Sequence, residues 1–334
     1  DNTRKSTLVG WGTSVPCPKH AMLEDMRKEF HQIVWDNQLE KSLEILIKLA
    51  IEEDLGGGDC TSFAVVPEAA TAGAKVVARQ PGIVAGLPGF AVLRRLIDDR
   101  LEWRPAVEDG QFVEPGETVG LWNGPARSIL AAERIALNLL GRLSGIATLT
   151  RRYVEAVAGT SARVYDTRKT LPGWRRLEKY AVRCGGGQNH RGGLDQAVLI
   201  KDNHLAIGTA GSAADAFSPA EAVTRARQFL KEHVREGEVL VEIEVDTLEQ
   251  LEQVLPRRPD IVLLDNMSLA QLKRAVACRN AAAPEIELEA SGGINLETVA
   301  AIARTGVERI SVGALTHSAV SLDFGLDWLD VPAC

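Results

Sequence analysis

The residues able to do chemistry gather at the ends of short apolar runs in the second half of the chain. "ARVYDTRKT" ends in Arg168 and Lys169, "QAVLIKDNH" in Lys201 and Asp202, and "DIVLLDNMS" carries Asp265. "IELEASGG" closes on Ser291, Gly292 and Gly293, and "RISVGALTH" on Gly313 with His317 beyond it. In "VEIEV" strict alternation puts Glu242 and Glu244 on one face, and Val241, Ile243 and Val245 on the other. Carboxylates turned into an interior must meet lysine, arginine or a cation. A single such residue is most simply a buried salt bridge. Arg168, Lys169, Lys201, Glu244 and Asp265 together, at successive strand ends, read as a functional site.

Between residues 161 and 204 nine Lys or Arg stand against four acids, in a chain of net charge -7. This local excess suits a small polyanion. No aromatic-interleaved basic stripe accompanies it, which argues against nucleic acid. Arg175, Arg176 and Lys179 read as a solvated helix face that accounts for part of the excess. The glycines of "ASGGIN" and "SVGALTH" fall at the last two strand ends beside a helix start, a common place for phosphate. "CGGGQNHRGG" (184–193) lacks both the Gly-Lys-Ser/Thr of a P-loop and the third glycine of a dinucleotide fingerprint. It reads as a pliant loop that delivers His190 and Arg191 to the basic mouth.

The elements that must hold these residues are legible as texture. Leu39, Leu43, Leu46, Ile47 and Ala50 recur at helical spacing, and Gly56 to Gly58 end that helix. Strand-like stretches follow in "AKVVARQ", "GIVAG" and "LEWRPAV", then a long helical pattern over 126–159 with Gly141 and Gly145 as close-packing points or breaks. "EDGQFVEPGETVG" resembles a carrier-domain hairpin but has no lysine to load, so it reads as a structural turn unit. After residue 160 six apolar runs appear, several followed by helical patterns for which Thr247, Ser268 and Asn295 are the N-caps. Strand–helix repetition means parallel pairing, and a (β/α) barrel is its economical closure.

The chain has 334 residues, enough for about two domains. No apolar run is long enough for a membrane span. Five scattered cysteines, without a Cys-x-x-Cys pair, point to reduced thiols in a cytoplasm.

"DTRKTLPGWRRLEKYAVRCGGGQNHRGGLDQAVLIKDNH" (166–204) strongly resembles the signature region of the quinolinate phosphoribosyltransferase family. "EIEVDTLEQL", "LLDNMS", "EASGGIN" and "VGALTHS" match in order, and "GGGDCTS" and "AAERIALNLLGRLSGIAT" extend the likeness into the first domain. The resemblance implies an α/β fold: an N-terminal α/β domain and an open seven-stranded barrel-like C-terminal domain. The domains then fall as an extension over 1–34, an α/β domain over 35–147 joined by 318–334, and the barrel over 148–317. It implies the reaction of quinolinate with phosphoribosyl pyrophosphate, helped by magnesium (Mg2+), to give nicotinate mononucleotide, pyrophosphate and carbon dioxide. Carried over by motif, Arg168, Lys169, His190, Arg191 and Lys201 surround the quinolinate carboxylates and the pyrophosphate end. Glu244 and Asp265 face the ribose and its magnesium, and Ser291, Gly292, Gly293 and Gly313 take the 5′-phosphate with His317 nearby. The family works as at least a homodimer, with Arg134 supplied by the partner. Trp174 departs from the family, which usually has an aliphatic residue there. Three other readings stand beside this one: a paralogue associated with molybdenum transport, a Schiff-base aldolase using Lys201, and a non-catalytic polyanion sensor.

Overall fold

The computed structural model describes residues 29–208, 217–233 and 239–329. Residues 1–28 of the expected extension, with Cys17, and the last residues with Cys334 lie outside them. Among the described residues, no helix is long and apolar enough to cross a membrane.

The first helix, Asn37–Asp54, starts where Asp36 accepts the Leu39 amide at 2.7 Å, and it buries Leu39, Leu43 and Ile47. Beyond it an antiparallel sheet runs in the order 324–328, 71–78, 118–125, 102–105. A strand from the far end of the chain thus completes the sheet of the first half. The helix Ala126–Ala156 joins the two halves without a break. Gly141 and Gly145 do not interrupt it. A Cβ on Gly145 would stand 2.1 Å from the Val320 carbonyl oxygen, so this glycine lets the 320–322 segment lie directly on the helix.

All six apolar runs after residue 160 are strands, and all pair in parallel in the order 163–165, 309–311, 287–291, 261–265, 241–245, 198–200. Gln188 adds an isolated parallel bridge outside Tyr165. The seventh position of the expected open barrel is therefore a single bridge beside a six-stranded sheet, because the glycines before it pack on the long helix. Among the described residues, that edge and the 198–200 edge share no ladder. Thr247 and Ser268 cap their helices with full capping boxes. Asn295 instead accepts the Glu297 and Thr298 amides in a turn, and the helix starts later, at Val299.

The barrel's two ends differ. Lys201, Glu244, Asp265, Ser291 and Gly313 sit at or near the carboxyl ends of strands, where barrels carry their sites. At the amino ends, Glu29 and Phe30 cover the opening. Phe30 is 5% exposed and packs with Ala197 and Ile261, while Glu29 meets Arg163 and the Tyr165 hydroxyl.

Candidate active site

At the carboxyl end an ion pair and a hydrogen bond fix the acids. Lys201 Nζ meets Glu244, and Asn266 Nδ2 donates to Asp265 at 2.6 Å. Glu244 and Asp265 lie on adjacent parallel strands, with Val245 opposite Leu264. Both carboxylates remain partly exposed, so their hard oxygens are open to an entering ion.

Asn266 belongs to the site, and the sequence reading passed over it. Its φ is 53°, and its amide donates to the Ser291 carbonyl at 2.9 Å. Gly292 packs against it at φ 95°, and a Cβ there would fall 2.1 Å from Asn266 Oδ1. Gly293, at φ 59°, faces open space. The two turns interlock and leave a side-chain-free face beside Ser291.

Gly313 brings two other candidates together. A Cβ on it would lie 3.0 Å from Lys169 Cδ and 3.2 Å from His317 Nε2. The Thr316 hydroxyl donates to the Lys169 carbonyl at 2.7 Å, which ties the Arg168–Lys169 turn to the last strand end. Behind that turn the fully buried Glu178 accepts from Arg142 Nε at 3.1 Å and from the Leu171 amide at 3.2 Å. The long helix thereby holds the basic turn in place.

The loop carrying His190 and Arg191 is not pliant. Cβ atoms on Gly185 and Gly187 would meet Thr150 at 2.6 and 2.8 Å, so these glycines exist for close packing on the long helix. Arg175 joins Thr170 Oγ1 (3.0 Å) to the Gly192 carbonyl (3.2 Å), and Arg176 reaches Gln38 at 2.9 Å. Lys179 is 1% exposed, paired with Asp166 and donating to the His190 carbonyl at 2.8 Å. The expected solvated face is therefore largely covered, with Lys179 buried and Arg175 and Arg176 half-buried, because the helix Arg175–Cys184 packs on the long helix and the first helix and meets this loop. Asp166 also accepts the His190 amide at 2.8 Å and Asn189 Nδ2 at 2.7 Å.

His190 and Arg191 are 5% and 6% exposed. Arg191 donates through Nη1 to the Ala197 carbonyl at 2.9 Å, and its Nε is buried without a partner among the described residues. His190 turns its ring into the barrel. Nδ1 accepts the Arg191 amide at 2.8 Å, which places the ring proton on Nε2, 3.0 Å from Glu242 and 3.6 Å from Glu289. Burial pushes the imidazole down to about 4 and both carboxyls up to about 7. His190, Glu242 and Glu289 have metal-ligand types within 4.8 Å of one another. A cation bound at Nε2 would strip the imidazole of both protons, so the tautomer set by the Arg191 amide disfavours a metal there. Glu289 had no sequence signal beyond its alternation in "ELEAS".

Arg134 is exposed on the long helix and makes no side-chain hydrogen bond or ion pair with the described residues. The fold thus brings Arg168, Lys169, Lys201, Glu244, Asp265, Ser291, Gly292, Gly293, Gly313 and His317 to the carboxyl ends of the strands or the turns that follow them, while Arg191 is buried against the Ala197 carbonyl. Trp174 packs on the hydrophobic core.

Comparison with known proteins gives a consistent picture. Residues 59–144 match the family description "Quinolinate phosphoribosyl transferase, N-terminal domain", and residues 146–327 its C-terminal domain. The nicotinate-nucleotide pyrophosphorylase (carboxylating) of Mycobacterium leprae is 44% identical over 284 residues, covering 84% of this chain and 95% of that protein. A probable enzyme of the same name from Bacillus subtilis is 40% identical, covering 82% and 89%. The structure of the nicotinate-nucleotide pyrophosphorylase from Francisella tularensis superposes with a TM-score of 0.80 at 34% identity, covering 90% of this chain and all of that one.

Proposed function

The chain belongs to the quinolinate phosphoribosyltransferase family, and we infer that its barrel mouth performs the carboxylating nicotinate-nucleotide pyrophosphorylase reaction. Quinolinate and phosphoribosyl pyrophosphate give nicotinate mononucleotide, pyrophosphate and carbon dioxide, a step of NAD synthesis. The observation that carries the residue assignment is the Lys201–Glu244 ion pair at adjacent strand ends, with Asp265 ending the next strand.

In this proposal the guanidinium groups of Arg168 and Arg191 grip the two carboxylates bidentately, while Lys169 and Lys201 act as point charges. His190 backs Arg191 from within the barrel. The pyridine nitrogen is already a nucleophile, so no residue is needed as a base for its attack on the ribose. Glu244, held by Lys201, lies where positive charge develops on the sugar as pyrophosphate departs. Ser291, Gly292, Gly293 and Gly313 offer amides and open space to the 5′-phosphate, with His317 beside them. Glu244 and Asp265 fit Mg2+, with water and substrate oxygens as the remaining ligands, and the bound ion would neutralise charge on the leaving pyrophosphate. The bond to the 2-carboxylate then breaks, carbon dioxide leaves, and the quaternised ring nitrogen stabilises the electron pair left on the ring carbon until a proton from solvent water takes the place of the lost carboxylate.

A homodimer in which Arg134 completes the partner's site belongs to the same proposal. The free thiols of Cys60, Cys184 and Cys278 support a reducing, cytoplasmic setting. Lys201 is engaged by Glu244, which disfavours it as a Schiff-base nucleophile. Incubation with quinolinate, phosphoribosyl pyrophosphate and magnesium should yield nicotinate mononucleotide. Turnover of nicotinate in place of quinolinate would overturn the reading.

A further inference from the structure

We infer that the segment Glu29–Ile33 is a positioning element for quinolinate: it plugs the amino-terminal end of the barrel and sets the place of His190 and Arg191 from beneath. Its contacts converge on that short stretch. The Phe30 ring stacks on the His190 ring with centroids 4.2 Å apart and planes 29° from parallel. Gln32 clamps Asn189 as a neighbouring strand would, accepting its amide at 2.8 Å and donating to its carbonyl at 3.0 Å. The Ile33 amide donates to Asn189 Oδ1 at 2.8 Å. Glu29 secures the other end of the segment, accepting from the Tyr165 hydroxyl at 2.8 Å and pairing with Arg163.

These contacts matter because Asn189 is otherwise held only from the helix side, and one face of the His190 ring would be left uncovered. Asp166 and Lys179 fix them from the helix side, and Glu242 faces the imidazole from the barrel interior. Phe30 covers the remaining face of the imidazole. Arg191 follows directly in the chain, and its amide is bound to His190 Nδ1. A ring that shifts carries Arg191 with it, and a small displacement of a substrate-gripping group is costly. None of these contacts touches the glycine turns at residues 291–293 and 313, so the effect should fall on one substrate.

The inference rests on the proposed substrate pocket, and its test is a split between the two Michaelis constants in the full chain. Phe30→Ala and Gln32→Ala should each raise KM for quinolinate by about tenfold. KM for phosphoribosyl pyrophosphate should stay within about twofold, a difference worth under about 0.5 kcal/mol. Calorimetric binding of quinolinate alone should weaken in parallel. If Phe30→Ala does not fold, Gln32→Ala decides, since it removes only the three hydrogen bonds of one half-buried side chain. Folded variants in which neither constant moves, or in which both rise together, would overturn the role. A wild-type chain that does not turn over quinolinate would instead overturn the functional reading.

Discussion

Lys179 and Asp166 form an ion pair whose side chains are 1% and 0% exposed. Removing one member of such a pair typically costs about 3–5 kcal/mol, because the other charge stays buried alone. Lys179→Met should therefore lower the unfolding free energy by about that amount in urea titration. A loss under about 1 kcal/mol would mean that Asp166 finds another partner. The buried carboxyls Glu242 and Glu289 make a second test at this scale. Both are pushed up to about 7, so near neutrality the folded chain holds protons that the unfolded chain has released. Their contribution is full at low pH and is lost as pH rises through 7. His190, pushed down to about 4, acts oppositely, since its contribution is lost as pH falls below the ordinary imidazole range. Of these three groups only the carboxyls still titrate above about pH 6.5, and their contribution should fall towards pH 8. Glu289→Gln should flatten that fall, as read from urea midpoints at the two pH values. An unchanged slope would place the proton elsewhere. Alternation in "VEIEV" was enough to turn Glu242 inward, because strand geometry is local. The burial of Lys179 was not legible, since its helix pattern gives no sign of an aspartate and a loop waiting on its other side.

Strands and turns were readable in proportion to how local their causes are. All six barrel strands follow apolar runs visible in the sequence, and Thr247 and Ser268 cap as their types require. The glycines after Cys184 misled for a physical reason. Glycine is used both for freedom and for close approach, and only the facing Thr150 tells which. At Gly292 both uses coincide: φ is 95°, and the place of a Cβ is filled by Asn266. Gly292→Ala should strain the turn by about 1–3 kcal/mol and push Asn266 away from Asp265. In steady-state kinetics KM for phosphoribosyl pyrophosphate should rise by about tenfold or more, with KM for quinolinate little changed. If the quinolinate constant moved instead, the phosphate end would have to be sought elsewhere in the mouth.

For the molecule as a whole, the long helix Ala126–Ala156 decides how many chains make one site. Arg142 on this helix braces the chain's own basic turn through Glu178, whereas Arg134, eight residues earlier, is exposed. Eight residues of helix separate them by about 12 Å along the axis. A guanidinium so placed, with no partner among the described residues, is suited to a site on a second copy. Complementation tests this directly. Arg134→Ala and Lys169→Ala chains should each be nearly inactive alone, since each pure dimer lacks one group at both sites. In a mixed dimer one site loses both groups and the other recovers both. Random reassortment makes half the dimers mixed, so co-expressed chains should regain about one quarter of the wild-type activity per site. Were Arg134 to serve its own barrel, every site in every combination would carry a lesion, and mixing would restore nothing.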